Sequence, residues 1–337
     1  MKLLTWALLL CSVLVISGCN LISKPVPTYP DVDREDRIPD DIMKRDPETD
    51  PYPPILHSVD FEEPVPLPYP VNTAGAEDSA FILPDGKTLY FFFTPDVRVP
   101  PEQQVLDEVS GVWVTHLTET GWSKPTRVWL QEPGKLALDG AVCIQDDEMW
   151  FASAREGYTG VNMFTARYLS GKWIDWQYVG DRLMKDIQIG EVHIHGDDLY
   201  FHSSRPGGHG SYDIWLTTRS YNEGLEIEWS DPANIHAVNT EEAESLPFVT
   251  SDGNELWFTR THMGTPAIFR SIKSNDGWGA PELIVSQFAG EPTLDDAGNL
   301  YFTHHFYEFD EELAENVMIE ADIYVAYRSK QKTVPVD

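Results

Sequence analysis

The apolar positions of this chain fall in short, strand-like runs, and one of these runs recurs. A Leu/Met-Tyr/Trp-Phe triad appears at Leu89-Tyr90-Phe91, Met149-Trp150-Phe151, Leu199-Tyr200-Phe201, Leu256-Trp257-Phe258 and Leu300-Tyr301-Phe302. The intervals are uneven but all fall in the range of roughly 40 to 60 residues, the span of a four-stranded propeller blade. Ahead of each triad stands an acidic residue, a short apolar run and a polar turn: Pro84-Asp85-Gly86, Asp146-Asp147, Gly196-Asp197-Asp198, Ser251-Asp252-Gly253 and Asp296-Ala297-Gly298. Turns of this kind supply the positive φ angles of a tight hairpin, so each joins two antiparallel strands. A third strand follows in each unit, as in Gly111-Val112-Trp113-Val114 and Asp213-Ile214-Trp215-Leu216, rich in β-branched and aromatic types.

A fourth, outer strand is signalled by Gly121-Trp122, Gly171-Lys172-Trp173, Glu228-Trp229 and Gly277-Trp278, but by nothing after Tyr324. The missing strand has a candidate before the first unit, in Val59-Asp60-Phe61-Glu62-Glu63-Pro64-Val65, which resembles the stretch beginning at Glu228. Both lead into a Val-Asn-Thr, at Val71-Asn72-Thr73 and at Val238-Asn239-Thr240. The pattern therefore predicts an all-β, five-bladed β-propeller over residues 57–330, closed by an N-terminal outer strand. Such closure removes open sheet edges.

These units resemble the TolB-type propeller repeat, a WD-like motif of the PD type named for its Pro-Asp-Gly turn. Blade 3 carries the fullest match, from Asp198-Leu199-Tyr200-Phe201 through Ser203-Ser204-Arg205-Pro206-Gly207-Gly208 to Asp213-Ile214-Trp215. Blade 1 keeps the turn, Pro84-Asp85-Gly86, but replaces the Ser-Arg-Pro-Gly-Gly loop by an acidic insertion around Glu102, Asp107 and Glu108. The resemblance implies the fold and, in that superfamily, a protein-binding or glycan-related role. It implies no reaction, because one fold hosts many functions.

Before the repeats lies a second signal. A Lys2-led n-region, an apolar stretch from Leu3 to Ile16 too short for a comfortable membrane span, and Ile16-Ser17-Gly18-Cys19 together resemble a bacterial lipoprotein leader, residues 1–18. The resemblance implies a diacylglyceryl-modified, palmitate-carrying Cys19 that anchors the chain to a membrane of the cell envelope without spanning it. Asn20 is not the Asp that resembles an inner-membrane retention signal, which points to the outer membrane and a periplasmic or surface-exposed domain. Residues 19–56, with Pro25, Pro27, Pro30, Pro39, Pro47, Pro51, Pro53 and Pro54, read as a disordered tether. Residues 331–337 read as a tail. With Cys11 in the leader and Cys19 as lipid site, only Cys143 remains for the propeller, so no disulfide forms there.

A formal net charge of -31 excludes nucleic-acid binding, since it repels phosphate backbones. Calcium or another divalent cation is a candidate cofactor on acidic turns such as Asp146-Asp147 and Asp295-Asp296. Innermost strands line the channel of a propeller, and each here opens on an acid: Glu77 or Asp78, Asp139, Glu191, Glu244 and Glu291. A pair of carboxyls, one protonated and one ionised, is what glycosidic cleavage requires. Five-bladed glycosidases of the arabinanase type are similar in placing Asp, Asp and Glu on the first strands of three successive blades. That resemblance implies Asp78, Asp139 and Glu191 as base, modulator and acid. Glu191, His193 and His195 alternate along one strand face, where two imidazoles and a carboxylate can ligate a transition metal, with His202 beside them. Arg155, Arg205 and Arg260 follow the triads of blades 2 to 4, and His304 follows that of blade 5. With Glu244 and Glu291 they form a candidate ligand-binding rim. Trp129, Trp173 and Trp176 lie outside the repeat and are candidate platforms for sugars. These features leave three classes open: an anchored propeller binding a glycan or a protein partner, a polysaccharide hydrolase or lyase, and a scaffold of an envelope complex.

Overall fold

A computed structural model describes residues 28–184, 191–222, 227–310 and 315–330. The expected leader, Cys19 and the expected C-terminal tail lie outside them. Among the described residues, no helix is long and apolar enough to cross a membrane.

The strands form five antiparallel sheets, each one blade. The inner strands are Ala76–Ile82, Ala137–Gln145, His193–His195, Glu244–Val249 and Ala289–Leu294. The second strands carry the aromatic triads, and the third strands lie against them. In all five blades the Phe of the triad pairs in register with an aromatic residue of the third strand: Phe91 with Trp113, Phe151 with Phe164, Phe201 with Trp215, Phe258 with Phe269, and Phe302 with Tyr324. The five Phe side chains are completely buried, as are Leu89, Met149, Leu199, Leu256 and Leu300. Each such side chain contributes roughly 1.5–3 kcal/mol by leaving water, so the repeat is the core of the fold.

The ring closes as the sequence predicts. Phe61 bridges Arg328, Val65 and Pro66 pair with Val325 and Tyr324, and the N-terminal segment thereby becomes the outer strand of blade 5. The Val-Asn-Thr repeat has a physical cause. Asn72 bonds both the N–H and the C=O of Ile323, and Asn239 does the same to Ile214. The following threonines each donate backbone N–H and hydroxyl to a buried glutamate, Thr73 to Glu77 and Thr240 to Glu244. One addition was not foreseen: Ile55–Leu56 pairs with Ser286 and Val285 on the outer edge of blade 4.

Residues 28–56, expected as part of a free tether, instead form a strap laid on the ring. The composition argument is right that they bury little apolar surface, and none of their hydrophobic side chains is fully buried. Charge holds them. Arg34 is 2% exposed and donates to Glu77 and to the carbonyls of Pro70 and Val71. Lys44 donates to buried Glu320 and Asp322, Asp50 accepts from His304 Nε2 at 2.8 Å, and Tyr29 stacks on Trp129 at 5.3 Å.

The strap fills a vacancy in the repeat. In blades 2 and 4 an arginine of the second strand lies over the paired aromatic rings and neutralises a buried acid: Arg155 over Phe164 with Asp139, and Arg260 over Phe269 with Glu244. Blade 1 has Phe93 and Thr94 in that region and no arginine of its own. Arg34 reaches in from the strap and takes the slot, 5.1 Å from Phe91 and 5.9 Å from Trp113, paired with Glu77. In blade 5 the strap supplies Lys44, 5.8 Å from the Phe306 ring and paired with Glu320 and Asp322.

Candidate functional site

The inner strands share a distortion that decides where their acids go. In four of them the register with the second strand slips by one residue, between Asp78 and Phe81, Gly140 and Cys143, Ser245 and Phe248, and Gly290 and Thr293. At each bulge one residue takes a positive φ: Ser79 at 51°, Ala141 at 51°, Leu246 at 55° and Glu291 at 59°. The next residue to pair opposes the central aromatic of the triad, giving one layer of Phe81, Cys143, His193, Phe248 and Thr293. This layer plugs the channel. His193 lies 4.6 Å from the Phe248 ring and 3.6 Å from the Cys143 sulfur, and Phe81 lies 6.2 Å from Phe248.

The acids therefore fall into two sets instead of one ring. Glu77, Asp139 and Glu244 precede the bulge, are completely buried, and are bonded within the protein: Glu77 to Thr73 and Arg34, Asp139 to Ser153 and Arg155, Glu244 to Thr240 and Arg260. Asp139 and Glu244 are thus each engaged by an arginine and a hydroxyl of their own blades. In blade 5 the matching position is Ala289, paired with His304. Glu291 stands at its bulge and Glu191 just ahead of the short inner strand of blade 3, each two residues before the plug and both close to Asp78.

This second set is the chemically distinctive cluster. The Ser79 backbone N–H donates to Glu291 at 2.8 Å and also to Asp78, and the Ser79 hydroxyl lies 3.4 Å from Asp78. Ligating atoms of Asp78, Glu291 and His305 all lie within 4.8 Å of one another, and the three residues are half-buried. Burial, with Asp78 adding, pushes the Glu191 carboxyl up to about 8. Burial, with Asp78 and Glu191, raises Glu291 well above the carboxylate range, and burial pulls the His305 imidazole down. The sequence places His304 and His305 together after the blade 5 triad, but only His305 joins this cluster. In a strand, adjacent side chains face opposite ways, so His304 goes into the blade against Tyr324 and Asp50 while His305 faces the acids.

The rim residues do not form a rim. Arg155 and Arg260 are sequestered in their ion pairs, Arg205 stacks over Trp215 at 4.9 Å, and His304 is completely buried. Nor do His193 and His195 share a metal-ligating group with Glu191. Burial pushes His193 down to about 3 against Cys143 and Phe248, and His195 bonds the Ser251 carbonyl of blade 4. Trp173 is buried and Trp129 is covered by Tyr29, which removes both as platforms.

On the other side of the plug, at the face of the hairpin turns, the channel opens into a cavity of about 670 Å³. All five blades contribute to it, with Phe81, Ile144, His193, Phe248 and Leu294 lining its walls and floor. Asp85, Asp146, His195 and Ser251 stand at its edge. Sequence reading missed this cavity because its lining is ordinary apolar strand residues; only the five-fold convergence makes it a site.

No protein-family model matches the chain, and no curated protein matches it. Solved structures similar to it include TolB from Acinetobacter baumannii, at 9% identity and a TM-score of 0.42, over 77% of this chain and 56% of that one. An exo-1,5-alpha-L-arabinanase from a bovine ruminal metagenomic library is 13% identical with a TM-score of 0.36, over 72% and 96% of the two chains. A GH43 glycoside hydrolase is 10% identical with a TM-score of 0.39, over 77% and 54%. The chain thus spans little more than half of the TolB chain it is similar to.

Proposed function

We propose that this chain is a non-catalytic binding propeller, held at the bacterial envelope through lipidated Cys19, whose turn-face cavity receives an apolar side chain flanked by cationic residues of a partner protein. The observation that carries the reading is the cavity itself. It is the place on the channel axis where all five blades meet a space of ligand size, and its interior is apolar with a few polar groups at the edge. A protein segment fits its chemistry better than a glycan. The floor rings Phe81 and Phe248 stand at 67° to each other, edge to face, and offer no flat platform for a sugar. Asp85 and Asp146 at the edge, on a chain of net charge -31, favour cationic flanks.

The test is affinity for short peptides bearing one large apolar residue between lysines or arginines, measured by fluorescence anisotropy. Asp85→Asn with Asp146→Asn keeps the turn acceptors, removes two charges, and weakens binding by roughly tenfold, about 1.4 kcal/mol. Peptides with acidic flanks bind no better than buffer controls. A saturable polysaccharide isotherm in place of peptide binding overturns the reading. The anchoring part is tested separately: Cys19→Ala moves the protein from the membrane to the soluble fraction and abolishes palmitate incorporation, and a membrane-bound variant contradicts it.

One observation favours a hydrolase as the second reading, the meeting of Asp78 and Glu191 across the channel. Asp139 no longer supports it, because Arg155 and Ser153 hold that carboxylate in the blade. Release of reducing ends from a polysaccharide panel, abolished by Glu191→Gln, establishes hydrolysis and displaces the binding reading.

A further inference from the structure

Most buried acids in this protein have a lysine or arginine, Asp213 and Asp295 take amide N–H donors instead, and one channel group has no such cation. Glu77 has Arg34, Asp139 has Arg155, Glu244 has Arg260, and Glu320 and Asp322 share Lys44. Asp78, Glu191 and Glu291 meet in the channel with no lysine or arginine bonded to any of them among the described residues. Taking carboxylates out of water without a counter-charge is costly, which is why buried charges elsewhere are paired or coordinate metals. The nearest basic group is a single imidazole, His305. Moreover, Oε1 of Glu191 is sealed from solvent and has no hydrogen-bond partner, an acceptor held ready without a donor.

We propose that Asp78, Glu291 and His305 bind a divalent first-row metal ion, with Glu191 completing the set from the opposite side of the channel. Ligand atoms about 2.1 Å from one ion lie at most about 4.2 Å apart. The present spread, within 4.8 Å for the three nearer residues, closes on an ion with side-chain adjustments of a few tenths of an ångström. Three carboxylates and one imidazole suit Mn²⁺ or Zn²⁺ better than Ca²⁺, whose sites are built from oxygen alone. The ligands come from blades 1, 3 and 5, so the ion ties the ring across its axis. It sits on the far side of the aromatic plug from the turn-face cavity, and its existence is independent of what that cavity binds.

The experiment uses the mature chain with Cys19→Ser, stripped with chelator and titrated with MnCl₂. Calorimetry gives one site of micromolar or tighter dissociation constant, and saturation raises the melting temperature by mass action on the folded state. Glu291→Gln and His305→Gln each weaken this site at least tenfold, while the exposed Asp175→Asn leaves it unchanged. Because a channel variant can lose its fold, the wild-type Mn²⁺ complex is also read by electron-spin-echo spectroscopy, where one imidazole gives a single ¹⁴N coupling. Absence of binding at millimolar Mn²⁺, weak multi-site binding insensitive to both channel variants, or a bound ion without the nitrogen coupling each overturns the proposal.

Discussion

If the strap is part of the fold, replacing Arg34 by methionine is costly. Its guanidinium is 2% exposed, bonds Glu77 at 2.9 Å and the Pro70 and Val71 carbonyls at 2.5 and 2.6 Å, and lies 4.8 Å from the Phe93 ring. Methionine keeps most of the apolar contact but leaves Glu77, itself completely buried, without its counter-charge. Breaking a buried pair from one side costs about 3–5 kcal/mol. For a domain of this size each kcal/mol moves the melting temperature by roughly 2–4 °C, so the expected fall is on the order of 10 °C. The control is Arg167→Met, which removes a pair with Asp175 in which both side chains are 52% exposed. Exposed pairs are worth about 1 kcal/mol or less, a shift of at most a few degrees. Both variants are compared with wild type by calorimetry and by urea denaturation followed through tryptophan fluorescence. If Arg34→Met melts within a degree or two of Arg167→Met, the strap is not docked through this residue and the free-tether expectation stands.

Lys44→Met leaves Glu320 and Asp322 buried without a cation and destabilises by a similar amount at neutral pH. Burial already holds Glu320 up at about 7 against the pull of Lys44, so without the ammonium it rises further. A carboxyl with a raised folded pKa favours the folded state only while protonated. The unfolded value is common to both proteins, so the Glu320 part of the Lys44→Met deficit grows as pH rises above about 7, its wild-type folded value, and fades below it. Equal deficits above and below that value in paired urea titrations would refute this assignment. Cys143 is buried in the plug, and burial pushes its thiol up to about 12. An aromatic disulfide reagent at pH 8 should label none of it in the folded mature chain with Cys19→Ser, and one equivalent in guanidinium. Rapid labelling of the native protein would show that the plug opens.

The parts of the molecule legible in the sequence are those set by local pattern. The triads, their turns and the transplanted outer strand follow from side-chain type and spacing, and the duplicated Val-Asn-Thr marks two places where one asparagine caps a third strand. What stayed hidden depends on two other things. The first is the bulge: Ser79, Ala141, Leu246 and Glu291 have no glycine to announce a positive φ, yet the one-residue slip sets Glu291 at the bulge while Asp139 and Glu244 lie before it in their blades. Counting acids per blade could not separate the two sets. The second is compensation at a distance. Arg34 and Lys44 stabilise acids more than forty positions away, in blades whose own strands lack an arginine there. A proline-rich segment with few apolar residues looks unable to fold on hydrophobic grounds, and it is indeed held by charge instead.

The claim at the centre of this account is that ligand recognition takes place at the turn-face mouth of the channel. A crosslinkable peptide with one aromatic anchor between arginines, incubated with the mature chain and mapped by mass spectrometry, tests it most directly. The account predicts adducts on Ile144, Ser251 or Leu294 that disappear in Asp85→Asn/Asp146→Asn. Adducts confined to the face bearing Asp78 and His305, or none alongside saturable polysaccharide binding, would contradict it.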